Sequence, residues 1–335
     1  MFFTGKNVLI LGGTGTIGRS LMELVSRDEP NMIRIFSRDE YKQFLYRNEL
    51  GKRPNVTFML GDVRDYDRVL AAMEQIDYVF HVAALKRVSS CEENPYEAVM
   101  TNVIGTQHVI KAAYAKQVKK VVFTSTDKAI SPTNAYGATK LLAERLVAGT
   151  YTKHRARTAP TIAIVRFGNV LGSRGSVIPI FINQILSNVP ITVTDPKMSR
   201  FMMTLSQAAH LTVHAMRISA GGEVFVLKMP VIRIGDLVQA VVEQTCWTHG
   251  IDPATVQVME IGAKPGEKQY EELMTEEESE YALETDKMFI IPPYNDRGRL
   301  YPNATKAKKG AYGSDRAQAI GIKQIKELLD QEKLL

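Results

Sequence analysis

Two cysteines and one tryptophan are all that this chain of 335 residues carries of those types. Cys91 and Cys246 stand far apart with no partner motif, so neither a disulfide framework nor a cysteine-held metal cluster is expected. Reduced thiols fit a cytoplasmic protein, and no metal is expected. Long apolar runs are missing too: nothing approaches the roughly 18–20 consecutive apolar residues of a membrane span. The opening MFFTGKNVLILGG has no basic leader, and its apolar run leads into a glycine turn, so it does not read as a signal peptide. Charge of one sign is not concentrated either. Lys and Arg total 42 against 36 Asp and Glu, a net +6 spread along the chain. A nucleic-acid binder would gather such an excess on one face, so no nucleic-acid or membrane partner is expected. The one dense basic cluster, Lys306, Lys308 and Lys309, reads as a solvated tail. There is no internal repeat and no low-complexity segment.

What is present is a globular composition, 45% apolar and 23% charged. The first half alternates two textures. Val8–Leu11, Ile33–Phe36, Val56–Leu60, Tyr78–Val82 and Val121–Thr124 are short apolar runs rich in β-branched residues. Between them Thr16–Val25, Arg68–Met73 and Val103–Ala115 carry apolar residues at helical spacing. A sixth strand, Thr161–Phe167, follows a helix starting near Tyr136. This alternation predicts a parallel sheet covered on both faces, an α/β doubly wound fold. After about residue 170 glycines, prolines and shorter elements predict a smaller lobe against the sheet's C-terminal edge, where open α/β sheets bind ligands. The expected division is 1–170 for the nucleotide-binding domain, completed by a helix at Ala208–Met216 and a strand at Glu223–Leu227. Residues 171–300 then form the substrate lobe, and 301–335 a tail and helix. The acidic run Glu276–Glu280 reads as a solvated helix start.

Directly after the first strand comes Gly12-Gly13-Thr14-Gly15-Thr16-Ile17-Gly18. Glycines there allow a tight turn and close approach of the backbone to a pyrophosphate, and the next helix points its N-terminus at that anion. Gly12, Thr14, Gly15, Thr16 and Ile17 are thus candidate dinucleotide ligands. The second strand ends in Ser37-Arg38-Asp39-Glu40, with Lys42 one turn on. Sites for NAD place a carboxylate at this tip, whereas Ser37, Arg38 and Lys42 suit a 2′-phosphate. The tip favours NADP, with NAD as the alternative if Asp39 holds the ribose. Asp62, with Val63, suits the adenine amino group, and Ala83-Ala84 follow the fourth strand. His81, at that strand's end, reads as structural.

Two clusters carry chemistry: Ser125-Thr126-Asp127-Lys128 and Tyr136-Gly137-Ala138-Thr139-Lys140. Tyr136 and Lys140 share a helix face. An ammonium beside a phenol favours the phenolate, which takes a proton from a sugar hydroxyl as hydride leaves. Lys140 also suits the nicotinamide ribose.

In this order, the glycine loop, Asp62-Val63, the Thr126 strand end and Tyr136/Lys140 resemble the extended short-chain dehydrogenase/reductase family. Thr126-Asp127-Lys128, in place of a Thr-Asp-Glu, is similar to the UDP-N-acetylglucosamine 4,6-dehydratases of polysaccharide biosynthesis. The resemblance runs from about residue 5 to 290 and includes Arg166–Val170, Gly172–Val177, Ser199–Phe201 and Pro265–Lys268. It implies a hydro-lyase in which Thr126 partners Tyr136, Asp127 is the acid and Lys128 the C5 base. A neutral lysine base requires a pKa lowered by burial or by Lys140. It further implies that Asn169 and Arg200 bind the UDP diphosphate, Glu267 the uridine ribose and Lys86 the sugar, with Ser176, Val177 and Lys264 completing the substrate site. Lys264 stands where soluble relatives often have arginine. Tyr136 stands where some capsule and membrane-bound relatives have methionine, which aligns the chain with the soluble branch whose members invert C5. Retention or inversion stays open. A homo-oligomer, dimer or hexamer, is implied, packed through Val103–Ala115 and Tyr136–Ala148. Alternatives on the same scaffold are a UDP-N-acetylhexosamine epimerase acting at C4 or C5, or a non-enzymatic NADP-binding regulator.

Overall fold

A computed structural model describes residues 1–153, 159–173, 175–263 and 265–334. Six strands form its parallel core: β1 (Asn7–Leu11), β2 (Met32–Ser37), β3 (Val56–Leu60), β4 (Tyr78–His81), β5 (Lys120–Thr126) and β6 (Thr161–Phe167). They lie in the order β3-β2-β1-β4-β5-β6. Between them run α1 (Thr16–Ser26), α2 (Glu40–Leu50), α3 (Tyr66–Ala72), the short α4 (Val88–Glu93) and α5 (Pro95–Ala98), then α6 (Gly105–Ala115) and α7 (Ala135–Lys153). The order reverses between β1 and β4. This is the switch point at which doubly wound sheets open a crevice above their C-terminal ends.

Alternation along β1 explains the two-sided burial. Successive side chains of a strand point to opposite faces. Val8 and Ile10 join Leu21, Met22 and Val25 of α1 in one core. Leu9 and Leu11 join Val69 of α3 and Val109 and Ala112 of α6 in the other. Both layers are fully buried. At about 25 cal/mol per Å2 of apolar area removed from water, these two layers are the main drive for folding.

The remaining chain continues the sheet and caps it. After β7 (Asn169–Val170), α8 (Val177–Leu186), β8 (Ile191–Val193) and β9 (Ser199–Met203), helix α9 (Leu205–Ile218) returns to pack beside α1. A reciprocal capping box between Thr204 and Gln207 starts α9. Strand β10 (Val224–Leu227) then pairs in parallel with β6. The expected elements at Ala208–Met216 and Glu223–Leu227 are therefore present, each slightly different in length. The small lobe holds β11 (Val231–Arg233), α10 (Ile234–His249), β12 (Val258–Glu260) and β13 (Glu272–Met274). Here β7, β9 and β11 form a three-stranded sheet, and β8 pairs with β12. Then α11 (Glu276–Ser279) leads to β14 (Leu283–Glu284), β15 (Met288–Ile291) and β16 (Thr305–Lys306), which add antiparallel to the main sheet. Ten strands are in that sheet among the described residues. The chain closes with β17 (Tyr312–Gly313), paired with β13, and α12 (Ile322–Gln331), whose Ile325 and Leu329 fill the small lobe's core with α8 and α10.

The β5 strand runs past its apolar run to the strand end expected at Thr126, so Ser125 and Thr126 are still paired with Arg166 and Phe167. Two expectations change. The helix expected from Val103 begins earlier, as a π-helical turn over Val99–Ile104. That turn aims Asn102 at two other elements: its amide donates to the Leu85 carbonyl (2.9 Å) and to Thr139 (3.0 Å). The acidic run is a helix start with a capping box, but Glu278 is mostly covered and pairs with buried Arg166 (3.0 Å). No helix among the described residues is long and apolar enough to cross a membrane.

Candidate active site

A single cleft of about 1560 Å3 opens along the C-terminal ends of β1, β2, β4, β5 and β6 and continues under the small lobe. Pockets for one small ligand measure about 300–1,000 Å3. This cleft has room for a dinucleotide and a second nucleotide end to end.

The glycine loop forms one end. Gly12 has φ +85°, and a Cβ there would meet the Ala83 amide nitrogen at 2.8 Å. Only glycine lets the loop turn this tightly against the end of β4. Gly15 sits at the cap of α1 and brings no side chain to its first-turn amides, leaving a helix N-terminus facing the cleft. Thr14, Thr16 and Ile17 line the same end. These features fit an anionic pyrophosphate. At the tip of β2, Ser37, Arg38, Asp39 and Lys42 all line the cleft. Asp39 is committed locally: it caps α2, accepting from the Lys42 amide (2.9 Å) and pairing with the Lys42 ammonium. Burial pushes the Asp62 carboxyl up, but hydrogen bonds and charge from Arg64, with Arg38 at 3.6 Å, hold it below the usual range. It faces the cleft as an ionised acceptor, beside Val63, Ala83 and Ala84.

The middle of the cleft holds the reactive groups. Thr126 ends β5 and caps a 3-10 turn, Asp127–Ala129. Helix α7 presses on that turn, and a Cβ on Gly137 would come within 2.1 Å of the Lys128 carbonyl. Tyr136 is thereby brought beside Thr126 and buried. Asp127 is 1% exposed, so its partners decide its state. Its Oδ1 accepts from Thr126 Oγ1 (2.6 Å), the Lys128 amide (2.9 Å) and Lys128 Nζ (3.2 Å). Burial opposes ionisation there, but the Lys128 charge and these donors hold Asp127 below the usual carboxylate range.

Two electrostatic expectations are overturned. Lys128 was expected to be a lowered, neutral-leaning amine. Burial does push it down, but Asp127 and Glu271 outweigh that and raise it above an ordinary lysine. Lys140 was expected to sit as an ammonium beside the Tyr136 phenol. Instead its Nζ donates to the Thr124 carbonyl (2.7 Å) and lies over the Phe123 ring. Burial pushes Lys140 down to about 7. Tyr136 is pushed up to about 12 by its own burial, against the pull of Thr126 and Lys128. His81 is buried; its Nε2 pairs with Thr106 (3.1 Å), and burial lowers it to about 3, a neutral ring as expected of a structural histidine.

Under the small lobe, Lys86, Asn169, Ser176, Val177, Arg200 and Glu267 all line the far end. Lys86 Nζ donates to Ser173 (3.3 Å). Ser176 precedes α8 without capping it, and its buried hydroxyl has no partner among the described residues. The Ser125 hydroxyl, buried in the cleft wall, has none among them either. Arg200 is buried, donates to the carbonyls of Ser199 and Lys268 (both 2.8 Å), and lies 3.6 Å from Glu267 and from Glu271. Lys264 lies outside the described residues, as does Arg174. Glu271 was not singled out in the sequence. It follows the Pro265–Lys268 motif by three positions and carries no motif signal of its own. It is 4% exposed, accepts from Lys128 Nζ (2.7 Å) and Asn169 Nδ2 (3.0 Å), and burial with Asp127's charge raises its carboxyl. Among the described residues no group of three or more His, Cys, Asp or Glu is arranged to hold a metal.

A Rossmann-type sheet with a glycine-loop nucleotide end, a Thr/Tyr/Lys centre and an arginine-bearing lobe defines the class of protein. Within that class, residues 8–293 match the family described as polysaccharide biosynthesis protein, and the chain belongs to it. The solved structure of Pen from Bacillus thuringiensis is 55% identical, with TM-score 0.94, covering 100% of both chains. A protein of Methanocaldococcus jannaschii named as an uncharacterized membrane protein is 42% identical over 98% of this chain and 97% of its own. The UDP-glucose 4-epimerase of Rickettsia bellii is 38% identical over 98% of this chain and 96% of its own.

Proposed function

We propose that the chain is a UDP-N-acetylglucosamine 4,6-dehydratase that uses NADP and forms a UDP-4-keto-6-deoxy-N-acetylhexosamine. The observation that carries this reading is the Asp127–Lys128 pair, a buried carboxylate and a half-buried amine beside Thr126 and Tyr136 at the centre of the cleft. An enzyme that only oxidises and reduces C4 has no use for a second acid–base pair there. Removing water across C5 and C6 does.

Bound nicotinamide would supply the hydride acceptor and donor. Gly12, Thr14, Gly15, Thr16 and Ile17 hold the pyrophosphate. Ser37, Arg38 and Lys42 face the adenine ribose, and with Asp39 held by Lys42 the half-exposed Arg38 is the cation offered to a 2′-phosphate. Asp62, Val63, Ala83 and Ala84 surround the adenine, and Lys140 with Tyr136 holds the nicotinamide ribose. At the other end Arg200 and Asn169 take the diphosphate, Glu267 the uridine ribose and Lys86 the sugar, with Ser176, Val177 and Lys264 completing the substrate site. Tyr136, with Thr126, accepts the C4 hydroxyl proton. Lys128 takes the C5 proton, made acidic by the C4 ketone, and Asp127 passes a proton to the departing C6 hydroxyl.

A UDP-sugar 4-epimerase is the second reading. It is favoured by the Rickettsia relatives' name and by a Lys128 that is held charged at rest. Product NMR after incubation with UDP-N-acetylglucosamine in D2O separates the two. The dehydratase gives a 4-keto-6-deoxy sugar with deuterium at C5. An epimerised sugar with its C6 hydroxyl intact sinks the dehydratase reading.

A further inference from the structure

The segment Pro265–Lys268 lines the far end of the cleft as a strap without regular secondary structure. Few backbone bonds of its own hold such a segment, so what it is tied to decides where Glu267 stands. On the small-lobe side Arg200 donates to the carbonyls of Lys268 (2.8 Å) and Gln269 (3.2 Å). On the other side three bonds run to the turn between β5 and α7. Lys268 Nζ donates to the Ile130 carbonyl (2.7 Å), while Thr133 Oγ1 (2.8 Å) and Asn134 Nδ2 (3.1 Å) both donate to the Gly266 carbonyl. Gly266 has φ +78°, and a Cβ there would meet the Thr133 carbonyl and Asn134 Cβ at 3.1 Å, so glycine admits the close approach. Asn134 also makes a second bond. Its Oδ1 accepts from the Gly137 amide (2.9 Å) and so caps the first turn of α7, in which Tyr136 stands. Only one orientation of the amide serves both bonds. Turned over, its NH2 would face the Gly137 N–H and its oxygen the Gly266 carbonyl.

We propose that Asn134 is a positioning residue for the nucleotide end of the substrate: it latches the strap to the helix of Tyr136, so that Glu267 and Arg200 are in place when a nucleoside diphosphate arrives. This rests on the assignment of Glu267 and Arg200 to the nucleotide made above. Groups held in their binding arrangement need no ordering at the moment of binding. A strap released from the turn occupies that arrangement for a fraction of the time, and the apparent Kd rises by the inverse of that fraction. Tyr136 is less affected, because α7 has a second grip: Glu92 accepts from the Ala135 amide (2.5 Å). The effect therefore falls on affinity for the nucleotide and not on the chemical step.

Asn134→Asp separates the two bonds. The carboxylate keeps an oxygen for the Gly137 amide and is as good a cap, but it sets a second oxygen against the Gly266 carbonyl where a donor stood. In the full chain loaded with NADP, the Kd for UDP by calorimetry and the KM for UDP-N-acetylglucosamine are each expected to rise about 10-fold. The kcat is expected to stay within about 3-fold of wild type, with the thermal midpoint little changed. Thr133→Val, which removes the other donor to the same carbonyl, is expected to weaken UDP in the same direction, and Thr133→Ser to restore it. An unchanged Kd for UDP in Asn134→Asp overturns the latch. A fall in kcat with KM unchanged also overturns it, since that is the mark of a helix cap alone. Wild-type protein that takes NADP but not UDP would sink the nucleotide assignment, and the latch with it. The dehydratase and epimerase readings both place the nucleotide at this end, so product NMR decides between them separately.

Discussion

Lys140 stands one helical turn from Tyr136, yet its ammonium is turned to the Thr124 carbonyl and the Phe123 face. Spacing on a helix establishes a shared face; it does not establish which neighbour a long side chain chooses. The consequence is measurable. The pKa of Lys140 falls from 10.5 to about 7 on folding, through desolvation. Between those values the unfolded chain binds a proton that the folded protein does not. This contribution to stability is full above pH 10.5, shrinks as pH falls toward 7, and is constant below. Each pH unit inside the window is worth about 1.4 kcal/mol. Lys140→Met, in the cofactor-free protein, is expected to be more stable than wild type at pH 7, with the gap closing as pH rises toward 10. Urea midpoints across that range check it, and parallel pH curves for the two proteins would refute the buried-amine account. The same scale shows why Lys128 behaves in the opposite way. Two carboxylates, one of them contributed from far along the chain, outweigh the burial that pushes it down.

At the scale of elements, the reactive centre is one strand end, one 3-10 turn and one helix pressed together. The helix reaches the turn because Gly137 has no side chain: a Cβ would sit 2.1 Å from the Lys128 carbonyl, with Pro132 Cβ at 3.1 Å. The obstacle is backbone and cannot rotate away. Gly137→Ala gains helix propensity of about 1 kcal/mol, yet it must push α7 off the turn. It is therefore expected to lower the thermal midpoint and to cost most of the turnover, by moving Tyr136 away from Thr126. Unchanged turnover would show that the turn yields instead. Much of this centre was legible beforehand. Thr126, Tyr136 and Lys140 lie within fifteen positions along one β–turn–α unit, and local patterns report local geometry. The π-helical turn over Val99–Ile104 was not legible, because it depends on partners elsewhere, Leu85 and Thr139.

At the scale of the whole molecule, the two lobes are tied by a charge network beneath the site. Arg166 on β6 is 2% exposed and gives its guanidinium to Glu144 on α7 (2.7 Å), to the Leu273 carbonyl on β13 (2.9 Å) and to Glu278 on α11 (3.0 Å). This fixes β13, and with it Glu271 one residue before that strand, against the main sheet. Glu144→Ala removes the buried partner and is expected to cost about 3 kcal/mol, because a desolvated guanidinium is left under-compensated. The pair Glu144→Leu with Arg166→Met is expected to recover part of that loss, since both fully buried charges go and the Glu278 left behind is 18% exposed and reaches water. Denaturant midpoints of the single and double variants decide it. A double variant as unstable as the sum of its singles would mean the network acts through packing and not charge.

The sequence by itself determined the alternating strands and helices, the glycine loop that shapes the cofactor end, and the identity of the Thr126, Asp127, Lys128, Tyr136 and Lys140 set. Each is written in residues near one another in the chain, where propensity, periodicity and turn chemistry operate directly. Only the tertiary structure decided which groups carry protons. Glu271 lies more than a hundred positions beyond Lys128, and Arg200 sits between them in sequence; all three meet only when the small lobe closes over the sheet. Burial and charge at a site are sums over neighbours in space, and most of those neighbours are distant in the chain.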